Sequence, residues 1–600
     1  MRFKINQFLI IAVIIILTAG FAQAQDILPL DQIKPGMEGV AKTVFHGYRV
    51  EEFPVKVIDV IKNNGLGDDY ILIKAGGSEI EKIGGIAAGM SGSPVYIEGK
   101  LVGAIGYGWQ LSDHRFGLVT PIKEMLQLLE SEKYQTLQFD KLQTPLFVSG
   151  LEGRAFNALE NDLKRYGVEL IPGGVYENKP GVDNDLKPGS AIAVQLARGD
   201  VSIASIGTVT YVEGDKILAF GHPFLNRGET DYLLSKAYIN GIIPSISQPF
   251  KLGSPASKLI GRITADRGAG IAGELHSFPE VIPLHIRVVD RETGFEDLIK
   301  VQLIKEERLL TTLTTNIALQ AVDNTLDRIG KGTARVKVKI IGSGLPDLEI
   351  EKNNIFYSRE DIASLALTDL YRLLDLITLN PFKKVNIMSI QLDIEVSNND
   401  NVALVQEARV LNKEVKPGDV LRLEVTLHPY RGQSFTRNIS VKIPEDIQPG
   451  RTSIAIDGGF TRAQTYGPTP GGEQENEAEL NQAQVNGYKD FKSMLEDFMK
   501  QPDNNELIIE GYPGYPVAQM PEDEKPESGE GKESGSPEEE LPAQGDKGDK
   551  DEEESNQPSI KKTVKTDYVL EGSLTLDINI VDKNNRPDAD KAPENQVLEK

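Results

Sequence analysis

The chain has 600 residues, enough for three or four domains, and contains no cysteine, which excludes disulfides, thiol catalysis and cysteine-bound metals. Its formal net charge of −24 is unevenly spread: residues 501–560 hold 18 Asp/Glu against 4 Lys/Arg. No basic face offsets this acidity, which argues against nucleic acid as a partner.

Residues 1–24 read as an export signal. Arg2 and Lys4 precede an apolar run from Phe8 to Leu17, and Ala22-Gln23-Ala24 supplies the small-x-small cleavage pattern. The run is too short for a comfortable membrane span. The mature chain is therefore expected to begin near Gln25 and to work in the periplasm or outside the cell; a retained signal would instead anchor it. Residues 26–135 are strand-rich, with alternation over Val50–Ile61 and a short strand at Tyr70–Lys74. Residues 136–188 hold a helix over Phe156–Tyr166, ended by Pro172-Gly173-Gly174, and a linker rich in Pro, Gly and Asp.

Residues 189–290 form a second β-rich block, with strands over Val201–Val212 and Lys216–Phe220 around the turn Glu213-Gly214-Asp215. Residues 291–400 are mixed α/β. Helices are expected at Thr311–Ile329 and Ser358–Thr378, the latter capped by Ser358-x-x-Asp361, with strands at Ala334–Ile341 and Ile387–Val396. Residues 401–460 suit a small β-sandwich. Residues 461–563 are acidic and rich in Pro, Gly and Gln, the composition of a disordered segment. Residues 564–600 hold one strand, Tyr568–Val581, and a tail. The class is mainly β with some α.

The most informative stretch is Gly84-Gly85-Ile86-Ala87-Ala88-Gly89-Met90-Ser91-Gly92-Ser93-Pro94-Val95-Tyr96. It sets a hydroxyl between glycines at a sharp turn before a strand. A serine nucleophile needs such a turn, because its side chain must project while nearby N–H groups converge on a developing oxyanion. A hairpin at Glu98-Gly99-Lys100, a strand over Leu101–Tyr107 and Gly117-Leu118-Val119-Thr120-Pro121-Ile122 follow. This order resembles the last part of a chymotrypsin-type barrel, whose G-x-S-G-x-P carries the nucleophile. Ser93, in place of a glycine of that motif, reads as packing within the turn.

Such a serine needs a base, and histidine occurs only at positions 46, 114, 222, 276, 285 and 428. His222 has the best context, at a strand exit in Ala219-Phe220-Gly221-His222-Pro223-Phe224. His46, the rival, precedes Ser91 too closely for a full barrel half to intervene and reads as a surface turn. His114 reads as a cleft-rim residue. No histidine has partners at metal spacing, so no metal and no cofactor is expected.

Two passages, Gly84–Ala104 and Gly189–Phe224, resemble the SpoIVB-like serine peptidase family, with Ile260–Glu274 also similar. The likeness spans roughly Leu28–Val289. It implies a chymotrypsin-like double β-barrel with Ser91 as nucleophile, His222 as general base, and the Gly89 and Ser91 N–H groups as oxyanion hole. Here the serine segment comes first, so the order is permuted. The family's acidic residue falls at Gly76, and neither Asp68, Asp69, Glu79 nor Asp266 fits its pattern. Gly106-Tyr107-Gly108-Trp109 resembles the edge strand that pairs an extended substrate, which marks Tyr107, Gly108 and Trp109 as substrate-binding; Trp109 by itself reads as core. The implied activity is an exported serine endopeptidase or autoprocessing protease acting on polypeptide. The alternative is a pseudo-peptidase that binds polypeptide or assists assembly in the cell envelope.

Overall fold

The computed structural model describes residues 26–62, 69–130, 145–174, 186–466, 488–513 and 560–582. The stretch read as an export signal, Asp68, most of the expected linker and most of the acidic segment lie outside the described residues.

Six strands, β1 (Glu38–Val44), β2 (Val50–Ile61), β3 (Tyr70–Ala75), β4 (Pro94–Ile97), β5 (Lys100–Tyr107) and β6 (Phe116–Pro121), close a barrel in the order β1-β2-β3-β6-β5-β4. The alternation expected in Val50–Ile61 is what builds it. Phe53, Val55 and Val57 point inward, while Glu52, Pro54 and Lys56 face solvent. With Ile71, Ile73, Val95, Ile105 and Val119 they fill the interior. Each such side chain contributes about 1.5–3 kcal/mol by leaving water.

The second β-rich block is part of a 13-stranded sheet. Its strands β7 (Leu146–Ser149) and β8 (Leu170–Pro172) flank the helix Gly153–Leu163 at one edge. Next come β9 (Ala191–Gly199), β10 (Ser202–Glu213), β11 (Lys216–Ala219), β12 (Gly228–Ile243), β13 (Phe250–Arg267) and β14 (Gly270–Leu275). β9 pairs with both β10 and β12, and the path β9-β12-β13-β14-β11-β10 returns to β9. A second six-stranded ring is thereby closed within the larger sheet. β10 is buried over its first ten residues, which is why it reads as an unbroken run of small and apolar residues without alternation.

The boundary expected near residue 290 is not a break. β9 also pairs with Glu296–Ile304, and the sheet continues through Val281–Asp290, Asn386–Ser397, Gly332–Ser343 and Glu349–Ser358. The expected helices appear as Glu307–Leu326 and the pair Ile362–Ala366 and Thr368–Thr378. The cap of the latter is Asp361, whose carboxylate accepts from Ser364 N, rather than Ser358.

The sandwich extends beyond its expected limits. A four-stranded and a five-stranded sheet share one core, in which Leu423, Val425, Ile454 and Ile456 meet Leu507, Ile509, Leu570 and Ile578. The segment read as disordered therefore supplies structure: the helix Phe491–Lys500 and the strands Glu506–Pro513 and Ile560–Lys565. Its acidic composition hid these apolar stretches. The final strand is two, Val569–Glu571 and Ser573–Ile580. Among the described residues, no helix is long and apolar enough to cross a membrane.

Candidate active site

Ser91 and His222 come from different rings, and the backbone beside each packs against the other ring at the seam between them. The serine turn rests on the β10–β11 hairpin. Thr208 Oγ1 donates to Gly89 O at 3.0 Å, Thr208 N donates to Ser91 O at 2.9 Å, and Thr210 Oγ1 donates to Gly92 O at 2.8 Å. Three carbonyls of the turn are thus bonded by one strand of the opposite ring.

Gly92 makes the approach possible. Its φ is +90°, and a Cβ there would stand 1.9 Å from Thr208 O and 2.5 Å from Phe220 N. Gly106 is equally constrained from the other side, where a Cβ would meet Gly221 O at 2.2 Å. That carbonyl accepts from Thr120 Oγ1 at 2.5 Å. The residue before His222 is therefore tied to β6.

The N–H groups of the turn divide into two sets. Met90 N donates to Ala87 O, Gly92 N to Ile105 O and Ser93 N to Met90 O. The N–H groups of Gly89 and Ser91 donate to no backbone acceptor among the described residues.

The chain leaves β11 through Phe220 at φ 71° and Gly221 at φ 68°. A left-handed phenylalanine costs about 1–2 kcal/mol and is held by its surroundings. Its ring is fully buried, with the His222 ring 5.9 Å away and the Phe224 ring 6.2 Å away. His222 is fully buried, lies 6.1 Å from the Tyr107 ring, and places Nδ1 2.8 Å from Pro223 O.

The Ser91–His222 hydrogen bond is not formed in this state. Ser91 is fully buried and its Oγ has no hydrogen-bond partner, as is also true of Ser93 Oγ. Part of the cover over this barrel is the long β12–β13 hairpin. Ala88 N donates to Pro249 O, Lys251 N to Ala88 O, and Leu111 N to Ser247 O, and His114 Nε2 bonds Ile246 O at 3.2 Å.

Several residues stand differently from their sequence expectation. β5 ends at Tyr107, which pairs with Leu118 of β6, while its pairing with β4 stops at Ala104. Tyr107 is buried, with its hydroxyl 3.3 Å from Gly268 O. Gly108 and Trp109 lie in the loop beyond, and Trp109 is 36 % exposed rather than core. His46 is exposed on its turn, 5.9 Å from the Tyr238 ring.

Two buried charged side chains lie near the site, Lys251, which the sequence reading did not single out, and Asp266, which it set aside. Lys251 is fully buried against Gly89, its Nζ 2.7 Å from Thr43 Oγ1 and 3.3 Å from Thr208 Oγ1; desolvation pushes its ammonium down to about 7. Asp266, also fully buried, accepts from Phe224 N and Leu225 N at 2.7 Å each, just after His222. Lys251 sits in no recognisable motif, whereas Asp266 lies within the Ile260–Glu274 passage, between Arg262 and Arg267.

Residues 18–126 match the family described as SpoIVB peptidase S55. The matched stretch contains the first barrel and Ser91 and stops before the histidine hairpin. No curated protein and no solved structure matches the chain. The segment around Ser91 is accordingly assigned to a SpoIVB-like serine peptidase family.

Proposed function

We propose that the chain is an exported serine endopeptidase in which the two rings act as a permuted, chymotrypsin-like pair of barrels. Ser91 Oγ attacks the carbonyl carbon of a peptide bond while His222 Nε2 takes its proton, and His222 then returns that proton to the leaving amine. The oxyanion develops against the Gly89 and Ser91 N–H groups. Water completes the cycle by hydrolysing the acyl-enzyme.

One observation carries this reading: the N–H groups of Gly89 and Ser91 donate to no backbone acceptor among the described residues, while those of Met90, Gly92 and Ser93 hold the turn. Prepositioned donors of this kind are worth about 10²–10³ each in turnover. The missing Ser91–His222 bond fits a resting state, because such bonds often tighten only with substrate. Opening the seam is a required step, since Ser91 is fully buried. The signal-like sequence of residues 1–24 supports a site of action outside the cytoplasm, in the periplasm or beyond it.

The same burial favours a second reading, in which the rings hold polypeptide or assist envelope assembly without cutting. A fluorophosphonate probe separates the two. The peptidase reading expects labelling of the full chain that disappears in Ser91→Ala and in His222→Ala. Folded wild-type protein that takes no label, at any probe concentration, favours the binder.

A further inference from the structure

A serine–histidine pair normally carries an acid that orients the imidazole, and Gly76 stands where the resemblance places it. The structure has a different arrangement around His222. Its Nδ1 bonds Pro223 O at 2.8 Å. A carbonyl oxygen only accepts, so Nδ1 carries the proton and Nε2 keeps the basic lone pair. The N–H belonging to that same peptide unit, on Phe224, donates to Asp266 Oδ1 at 2.7 Å. Asp266 Oδ2 accepts from Leu225 N at 2.7 Å.

Imidazole, peptide and carboxylate therefore form one file of hydrogen bonds. We propose that Asp266 is the positioning residue of this site, acting on His222 through the Pro223–Phe224 peptide in place of a directly bonded triad acid. The inference rests on His222 being the general base. A carboxylate at the N–H end polarises the peptide and makes its carbonyl a stronger acceptor, by about 10–30 % per bond in such chains. Its negative charge also favours the imidazolium that forms during attack. The bond to Leu225 N fixes the carboxylate plane, so the peptide cannot rotate away and release the imidazole.

The carboxylate has other polar and charged neighbours. Tyr232 lies near with a buried hydroxyl lacking a partner; desolvation first, and then the Asp266 charge, push its phenol upward. The Arg227 guanidinium is occupied by Glu306 at 2.7 Å, while its own N–H reaches Asp266 Oδ2 at 3.4 Å. Arg267, next in the chain, pairs with Glu229 at 4.0 Å. Facing His222 itself are the Tyr107 and Phe220 rings.

Two measurements on the full chain test the proposal. The first is the ¹⁵N spectrum of the wild-type histidine rings, with the His222 signal identified by its loss in His222→Gln. The Nδ1–H tautomer is expected for neutral His222; an Nε2–H tautomer overturns the relay. The second is the rate of fluorophosphonate labelling of Ser91 against pH. Asp266→Asn should slow labelling about tenfold or more, yet by less than the roughly four orders of magnitude lost when a directly bonded triad acid is neutralised. It should also move the pH midpoint downward by about half a unit or more, because removing the negative charge makes the imidazolium easier to deprotonate. Asp266→Glu should keep the wild-type midpoint. An unchanged midpoint in Asp266→Asn with native circular dichroism contradicts the proposal. Should that variant fail to fold, the wild-type tautomer decides alone. If the wild type takes no label, the peptidase reading fails while the tautomer still tests the relay.

Discussion

The two rings solve the same problem differently. The serine ring is a self-contained barrel whose core is its own, and its reactive turn is held from outside by Thr208 and Thr210. The histidine ring is closed only within a larger sheet, and His222 is held from inside, by Pro223 and the Asp266 cluster, with one tie across the seam at Gly221 O. The Ser91 turn thus depends on the seam, whereas the His222 loop draws most of its support from its own ring. Mutations that spread the seam should silence Ser91 and leave the histidine loop intact.

Gly92→Ala is the most severe way to test that contrast. The new Cβ would collide with Thr208 O at 1.9 Å in a left-handed backbone, so the rings must part. We expect a loss of about 2–4 kcal/mol in chemical denaturation and no labelling of Ser91. Retained labelling would show that the seam does not align the nucleophile.

Lys251 sharpens the contrast through pH. Its folded value, about 7, lies below the ordinary lysine value of 10.5. Between those two limits the unfolded chain holds a proton that the folded chain lacks, so stability rises with pH across that window and the penalty is fully present below it. Stability should climb by up to about 1 kcal/mol per pH unit between pH 7 and 10. Lys251→Met should flatten that slope and raise the melting temperature at pH 7. A slope unchanged in the variant would assign it to another group.

Much of the serine ring is legible in the sequence, because its information is local. Gly89, Ser91, Gly92 and the hairpin at Glu98-Gly99-Lys100 lie within a dozen residues, and Val50–Ile61 alternates with period two. The histidine ring is less readable. β10 is buried on both faces and shows no period, and β9 has three partner strands, a branching that no local pattern records. Asp266 binds main chain 42 residues away from Phe224, so neither its spacing nor its partners' identity marks it. Of the strand expected at Gly106–Trp109, only the part up to Tyr107 is strand, because the chain turns into a loop at Gly108 and Trp109.

Thr208→Val cuts the hydroxyl ties of one residue at the seam. It removes the bond to Gly89 O and the 3.3 Å bond from Lys251 Nζ but keeps Thr208 N on Ser91 O, and should cost about 1–2 kcal/mol with a partial fall in labelling rate. Full labelling at wild-type rate would mean that the Gly89 peptide needs no such anchor.

The smallest effect is expected in the loop beyond β5. Arg115 first, through its side-chain hydrogen bond, holds the Asp113 carboxyl down at about 2. This pair contributes above the ordinary aspartate range and is lost as pH falls through about 2. Because both side chains are roughly 40 % exposed, Arg115→Ala should leave stability at pH 7 nearly unchanged. A larger loss would assign the loop a structural part in covering the serine ring.

The most direct test is a crystal structure of the full chain with a peptide boronate or phosphonate present. Our account predicts a covalent bond at Ser91 Oγ, an inhibitor oxygen within hydrogen-bond distance of the Gly89 and Ser91 N–H groups, and His222 Nε2 about 2.6–3.2 Å from the serine or the inhibitor. An inhibitor seated elsewhere, or an imidazole out of hydrogen-bond reach of both a modified Ser91 and the inhibitor, would contradict it.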